Sequence, residues 1–139
     1  MEELIIKNAK IVFAELEDNG FGKNIVIDVT DKALQDQITD FYKAAKIADG
    51  KPKFKDYTNK DGETTKQFTL KLSEFTDIEG KKEGDVQLGA KDLRYGAKVN
   101  ILVRTYEWDN KFGKGISARA QSIFVVEGGV KTNMSKIAE

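Results

Sequence analysis

Between Ala97 and Val103 every second residue is apolar, and a second alternating run extends from Ile116 to Val126. A period of two fits a half-buried strand and no other regular structure. Ala97, Val99, Ile101 and Val103 line one face of the first run, and Lys98, Asn100, Leu102, Arg104, Tyr106 and Trp108 line the other. In the second, Ile116, Ala118, Ala120, Ser122, Phe124 and Val126 alternate with Ser117, Arg119, Gln121, Ile123 and Val125. The stretch Tyr95 to Val126 is therefore expected to be two long strands joined by a turn. Hairpin turns are ordinarily small and polar. This one carries Trp108, Lys111, Phe112 and Lys114.

The remaining chain repeats the theme of strands and turns. Leu4 to Leu16 reads as a strand, with Ile11 and Phe13 on one face and Lys10 and Val12 on the other. Asp18-Asn19-Gly20 is a turn signal, and Gly22 to Val29 is its second arm. Thr30 or Asp31 can cap a helix running to about Ala48, with Leu34, Ile38, Phe41 and Ala45 at helical spacing and Gly50 and Pro52 ending it. That stripe packs against a sheet. Lys53 to Thr58 and Thr64 to Phe75 form a second hairpin around Asn59 to Gly62. Thr76 to Lys91, polar and glycine-containing, reads as a long loop. The expected fold is mainly β: a small antiparallel barrel with one packed α-helix, because closure hides strand edges. Residues 1–127 form this domain, and 128–139 form a flexible C-terminal tail.

Composition narrows the chemistry. The 139 residues suffice for one domain with a core. There is no cysteine and no histidine, so disulfides, thiolate metal sites, His-activated serine nucleophiles and His-dependent zinc hydrolases are excluded. A carboxylate–magnesium nuclease would need clustered acids that the sequence does not display. No enzyme, no cofactor and no metal are expected. No apolar run approaches a membrane span, and the acidic Met1-Glu2-Glu3-Leu4 start is unlike a secretory signal. A cytoplasmic location is expected, that of the host if the chain is phage-encoded.

The 23 basic and 23 acidic residues cancel, so a charge argument must be local. From Arg94 to Arg119 six cations (Arg94, Lys98, Arg104, Lys111, Lys114, Arg119) oppose Glu107 and Asp109, a net of +4. From Lys51 to Lys71 six lysines oppose Asp56, Asp61 and Glu63, a net of +3.

Three constellations stand out. Tyr106 and Trp108 share a strand face with Arg104, and Lys111, Phe112 and Lys114 follow in a turn where Gly113 and Gly115 let the backbone approach a ligand. An aromatic beside a cation is the pair that stacks a base and holds a phosphate, so the leading partner is single-stranded nucleic acid. The competing reading is that Trp108 and Phe112 plug the barrel end. Lys53, Lys55 and Tyr57 share a strand face, with Phe54 opposite as core; Phe68 belongs to the core row of Leu70 and Leu72. Gly20-Phe21-Gly22-Lys23 repeats aromatic, glycine and lysine, but it is too short for a P-loop.

Leu4-Ile5-Ile6-Lys7-Asn8-Ala9-Lys10-Ile11-Val12-Phe13-Ala14 resembles the opening strand of bacteriophage single-stranded DNA-binding proteins. Gly96 to Val103, then Tyr106-Glu107-Trp108-Asp109-Asn110-Lys111-Phe112-Gly113-Lys114-Gly115-Ile116, is similar to their C-terminal hairpin. The resemblance implies an oligonucleotide/oligosaccharide-binding (OB) barrel that coats single strands in phage replication or recombination. It carries binding onto Arg104, Tyr106, Trp108, Lys111, Phe112 and Lys114; Tyr57, Lys53, Lys55 and Arg119 join them from the residues' own pattern. Partners are single-stranded DNA and phage replication or recombination proteins, and exposed strand edges allow a homodimer. Two features depart from the family. Glu127 to Glu139 is charge-balanced where many single-strand binders end in an acidic tail. The helix follows the second strand, where the usual barrel has it after the third, so either the first strand is broken in two or the topology is a variant. The alternative function is a non-catalytic adaptor or inhibitor that uses Trp108 and Phe112 as an apolar anchor.

Overall fold

The computed structural model describes residues 3–16, 23–47 and 50–129. The strands are β1 (Glu3–Glu15), β2 (Asn24–Asp28), β3 (Lys55–Thr58), β4 (Thr64–Gly80), β5 (Lys82–Glu83), β6 (Val86–Gln87), β7 (Lys98–Asn110) and β8 (Gly113–Glu127), with one helix, α1 (Lys32–Ala45). Strands pair in the order β2-β1-β7-β8-β4-β3, and β2 also pairs with β4, which closes a five-stranded barrel. All of these pairings are antiparallel except β4–β8. β3 extends β4 outside the closed ring, and β5 with β6 forms a separate small ribbon.

The barrel closes because each strand offers an apolar row to the interior. Ile6, Ile11, Ile25, Ile27, Val99 and Ile101 are wholly buried. Burying each such side chain contributes about 1.5–3 kcal/mol before entropy is counted. No polar or charged residue is buried among those described.

Asp31 caps α1 by accepting the Ala33 N–H at 3.0 Å, and Ile38, Phe41 and Ala45 form its buried stripe. The helix stops at Ala45, short of the expected end at Ala48, because Lys46 turns left-handed (φ 58°) and its N–H returns to Lys43 and Tyr42 carbonyls. Tyr42 meets Phe68 edge-on at 6.0 Å, and Phe54 meets Phe68 at 5.5 Å. Helix and barrel are thereby joined through one aromatic cluster. β1 runs unbroken, so the position of α1 after β2 is a variant topology.

Three expectations require correction. The stretch from Thr76 to Lys91 is not a long loop. β4 continues through it to Gly80, and β5 and β6 follow. Its distal part pairs in parallel with β8, Ile78 opposite Ile123 and Gly80 opposite Val125. Next, the alternation in β8 breaks at Gln121. Leu102 pairs with Ser122 but Val103 with Ala120. One extra residue then reverses the faces, so Ile123 and Val125 join Ala120 in the core while Phe124 faces out. In β1 a bulge at Val12 acts likewise: Ile11 is buried and Phe13 exposed. The Asp18 to Gly20 turn, the first three residues of the Gly20 to Lys23 motif and the tail from residue 130 onward lie outside the described residues.

Candidate nucleic-acid interface

The outer wall of the barrel is defined by register. Lys55 pairs with Gln67, Thr69 with Val26, and Lys71 with both Asn24 and Arg119. Arg119 pairs in turn with Arg104, and Trp108 with Gly115. Paired residues share a face, so these side chains look outward while Phe68, Leu70 and Ile25 look in.

Across this wall lies a groove of about 950 Å³. Its floor is Val26, Thr69, Ser117 and Ala118, and α1 supplies Tyr42 with the following Lys46 and Ile47. Burial pushes the Tyr42 phenol pKa up from its ordinary value. Five lysines line the groove (Lys46, Lys51, Lys53, Lys55 and Lys71), with no carboxylate among the described lining residues. A chain of zero formal net charge thus concentrates cations where a strand of phosphates could run.

Trp108 forms the far wall and also lines an adjoining cleft with Lys46, Glu107, Asp109, Lys114 and Ile116. Its indole is 38 % exposed and lies over Gly115, where a β-carbon would come within 2.6 Å of Cζ2. The glycine is the seat of the ring. Gly115→Val should tilt the indole outward, shift its emission to the red and weaken oligonucleotide binding by a part of the about 1–3 kcal/mol that a stacked base contributes. Steady-state fluorescence and an oligo-dT titration check this; an unmoved spectrum with full affinity would remove the seat its role.

The other expected residues fall into separate places. Phe112 is 84 % exposed at the hairpin tip, with Lys111 Nζ at 5.1 Å from its ring centroid. Asn110 holds the tip by accepting the Phe112 N–H at 2.8 Å. Neither Trp108 nor Phe112 plugs the barrel. Tyr106, half-exposed, carries the Arg119 guanidinium on its ring at 4.1 Å, so one ring face is already taken. Arg119 Nε is buried without a hydrogen-bond partner among the described residues. Arg104 Nε donates to Glu3 Oε1 at 2.9 Å, which offsets its charge. Tyr57 is exposed on β3 and, like Lys111, Phe112, Arg104, Tyr106 and Arg119, is not part of the groove lining.

The groove therefore unites Trp108, Lys53 and Lys55, with Lys114 beside them. It adds Lys46, Lys51, Lys71 and Tyr42, which the sequence reading did not single out. Lys51 and Lys71 lay within the positive window of the second hairpin; nothing in the sequence marks Lys46, whose place depends on the helix ending at Ala45.

No protein-family model matches the sequence, and no curated protein matches it either. Solved structures do. The single-stranded DNA-binding protein from bacteriophage Enc34 matches with a TM-score of 0.62 at 17% identity, over 99% of this chain and 90% of that one. Its C-terminal truncation matches at 0.62 with 18% identity, over 94% and 88%. The same phage protein in complex with ssDNA matches at 0.62 with 15% identity, over 94% and 89%. In its fold, a closed five-stranded β-barrel with a single described helix, this chain is similar to a bacteriophage single-stranded DNA-binding protein.

Proposed function

We propose that this chain binds single-stranded DNA with tolerance for sequence and without catalysis, as a coating protein of phage replication or recombination in the host cytoplasm. The observation that carries the reading is the groove: five lysines, no carboxylate in its described lining and an indole on its wall. Bases stack on Trp108, and ammonium groups neutralise phosphates along the floor. Lys114, Lys111 and Phe112 on the β7–β8 hairpin extend the contact beyond the groove. Arg119, Tyr106 and Arg104 border it past Lys71, and Tyr57 lies next to Lys55 on β3. The fold similarity to a protein solved with ssDNA supports the same reading. Residues 1–127 supply the binding domain, with 128–139 as an appended tail and phage replication or recombination proteins as further partners.

The exposure of Phe112 favours a second reading, an adaptor or inhibitor that anchors a protein through the hairpin tip. Titration with oligo-dT separates the two. Trp108 is the chain's one tryptophan, so its emission reports the groove directly. Quenching by oligo-dT, with weaker binding of duplex, is expected. Silent emission, or equal affinity for duplex, would overturn the reading and leave the second.

A further inference from the structure

The bulge at Val12 puts an aromatic ring on the outer wall of the barrel. Phe13 is 54 % exposed, and its partner on β2 is Val26. Val26 pairs in turn with Thr69. Both of these lie on the floor of the lysine groove. Paired residues share a face, so Thr69, Val26 and Phe13 form one outward row that leaves the groove and ends on β1. Strand spacing puts Phe13 about 10 Å from Thr69 along this row. Phe13 takes no part in the core cluster, so packing does not account for a phenyl there.

A second ring stands past β1. Lys10 pairs with Lys98 across the other edge of that strand. The Ile11 N–H donates to the Ala97 carbonyl and the Gly96 N–H to the Ile11 carbonyl, both at 2.8 Å. These bonds carry the antiparallel register on toward Tyr95 and bring it near the level of Phe13. Tyr95 is 56 % exposed. Lys10 Nζ sits 4.7 Å from its ring centroid and donates to its hydroxyl at 3.2 Å, which steadies the ring. Carboxylates border the row: Asp28 pairs with Lys10, and Glu15 with Asn24. Charge therefore gives a phosphate little to hold here. What this wall offers is flat rings, which accept any base.

We infer that a bound single strand leaves the groove over Val26 and stacks further bases on Phe13 and then Tyr95. The inference rests on the DNA-binding reading and gives that site a path, with Trp108 at one end and Tyr95 at the other. The two parts of the path work differently. In the groove, lysines neutralise phosphates beside one indole. On the β2–β1 wall, rings hold bases while the backbone of the strand faces water. The site then takes more nucleotides than the groove alone accommodates.

Oligo-dT of about 4 and of about 16 nucleotides brackets the length that one OB barrel covers. Trp108 emission reports occupation of the groove by either. Phe13→Leu keeps an apolar side chain at an exposed position and should melt as the parent chain does. It should lower affinity for the longer oligonucleotide by roughly fivefold or more, the loss of one stacked base, and leave affinity for the shorter one unchanged. Tyr95→Leu should do the same. Phe13→Tyr keeps a ring and should bind both lengths as the parent does. Undiminished affinity for the longer oligonucleotide in both leucine variants would overturn the path, as would equal losses at both lengths or a Phe13→Tyr variant as weak as Phe13→Leu. Silent Trp108 emission in the parent chain is a different failure, that of the DNA-binding reading itself.

Discussion

Trp108→Ala lowers affinity for oligo-dT by roughly 5- to 150-fold, the equivalent of about 1–3 kcal/mol lost with one stacked base. The indole is suited to this because it is held on one side and open on the other. Gly115 seats it, and the groove and the neighbouring cleft both open onto it. Tyr106 is a weaker platform, since Arg119 already covers one side of its ring. Trp108 is no part of the buried cluster that holds the barrel together, so the variant should keep its thermal midpoint. A fluorescence-anisotropy titration with labelled oligo-dT, alongside a melting curve, reads both quantities. Full affinity in a variant that melts normally would show that the ring does not stack.

Binding also falls steeply with salt. Released counterions give a slope of log K against log salt of about −0.7 per phosphate contact on a single strand. The five groove lysines together predict a slope of about −3.5 and roughly a hundredfold loss between ~50 and ~200 mM salt. Lys71→Ala should reduce the slope by about 0.7. Because the formal charges of the whole chain cancel, the slope reports cations gathered at the binding surface and not an overall charge. A slope near zero would mean that apolar contact, not phosphate, holds the ligand.

Much of the fold is legible in the chain, and its limits have specific causes. The alternation of Ala97, Val99, Ile101 and Val103 identifies a half-buried strand, and all four are buried. Asp31 marks the start of α1 because a short acidic side chain can take the free N–H groups there. The bulges at Val12 and Gln121 were not legible. A single inserted residue changes no composition, yet it moves Phe13 and Phe124 outward. The strand beyond Thr76 was hidden for another reason. Its partner in β8 is more than forty residues away, and a parallel pairing leaves no turn signal between the two. Trp108, Lys53 and Lys55 could be named from local pattern. The groove itself could not, because Lys46, Lys55, Lys71 and Trp108 belong to four separate segments that only closure brings together.

That closure also orders events during synthesis. β1 leaves the ribosome well before its partner β7, whose residues come almost a hundred positions later. The parallel seam between β4 and β8 waits for β8. Until the hairpin emerges, Ile6 and Ile11 have no complete interior to enter, and the nascent chain presents an unfinished, sticky sheet. The same hairpin that carries Trp108 is thus the closing stave, and a chain cut short before Gly113 would keep the indole but lose both its Gly115 seat and the enclosure.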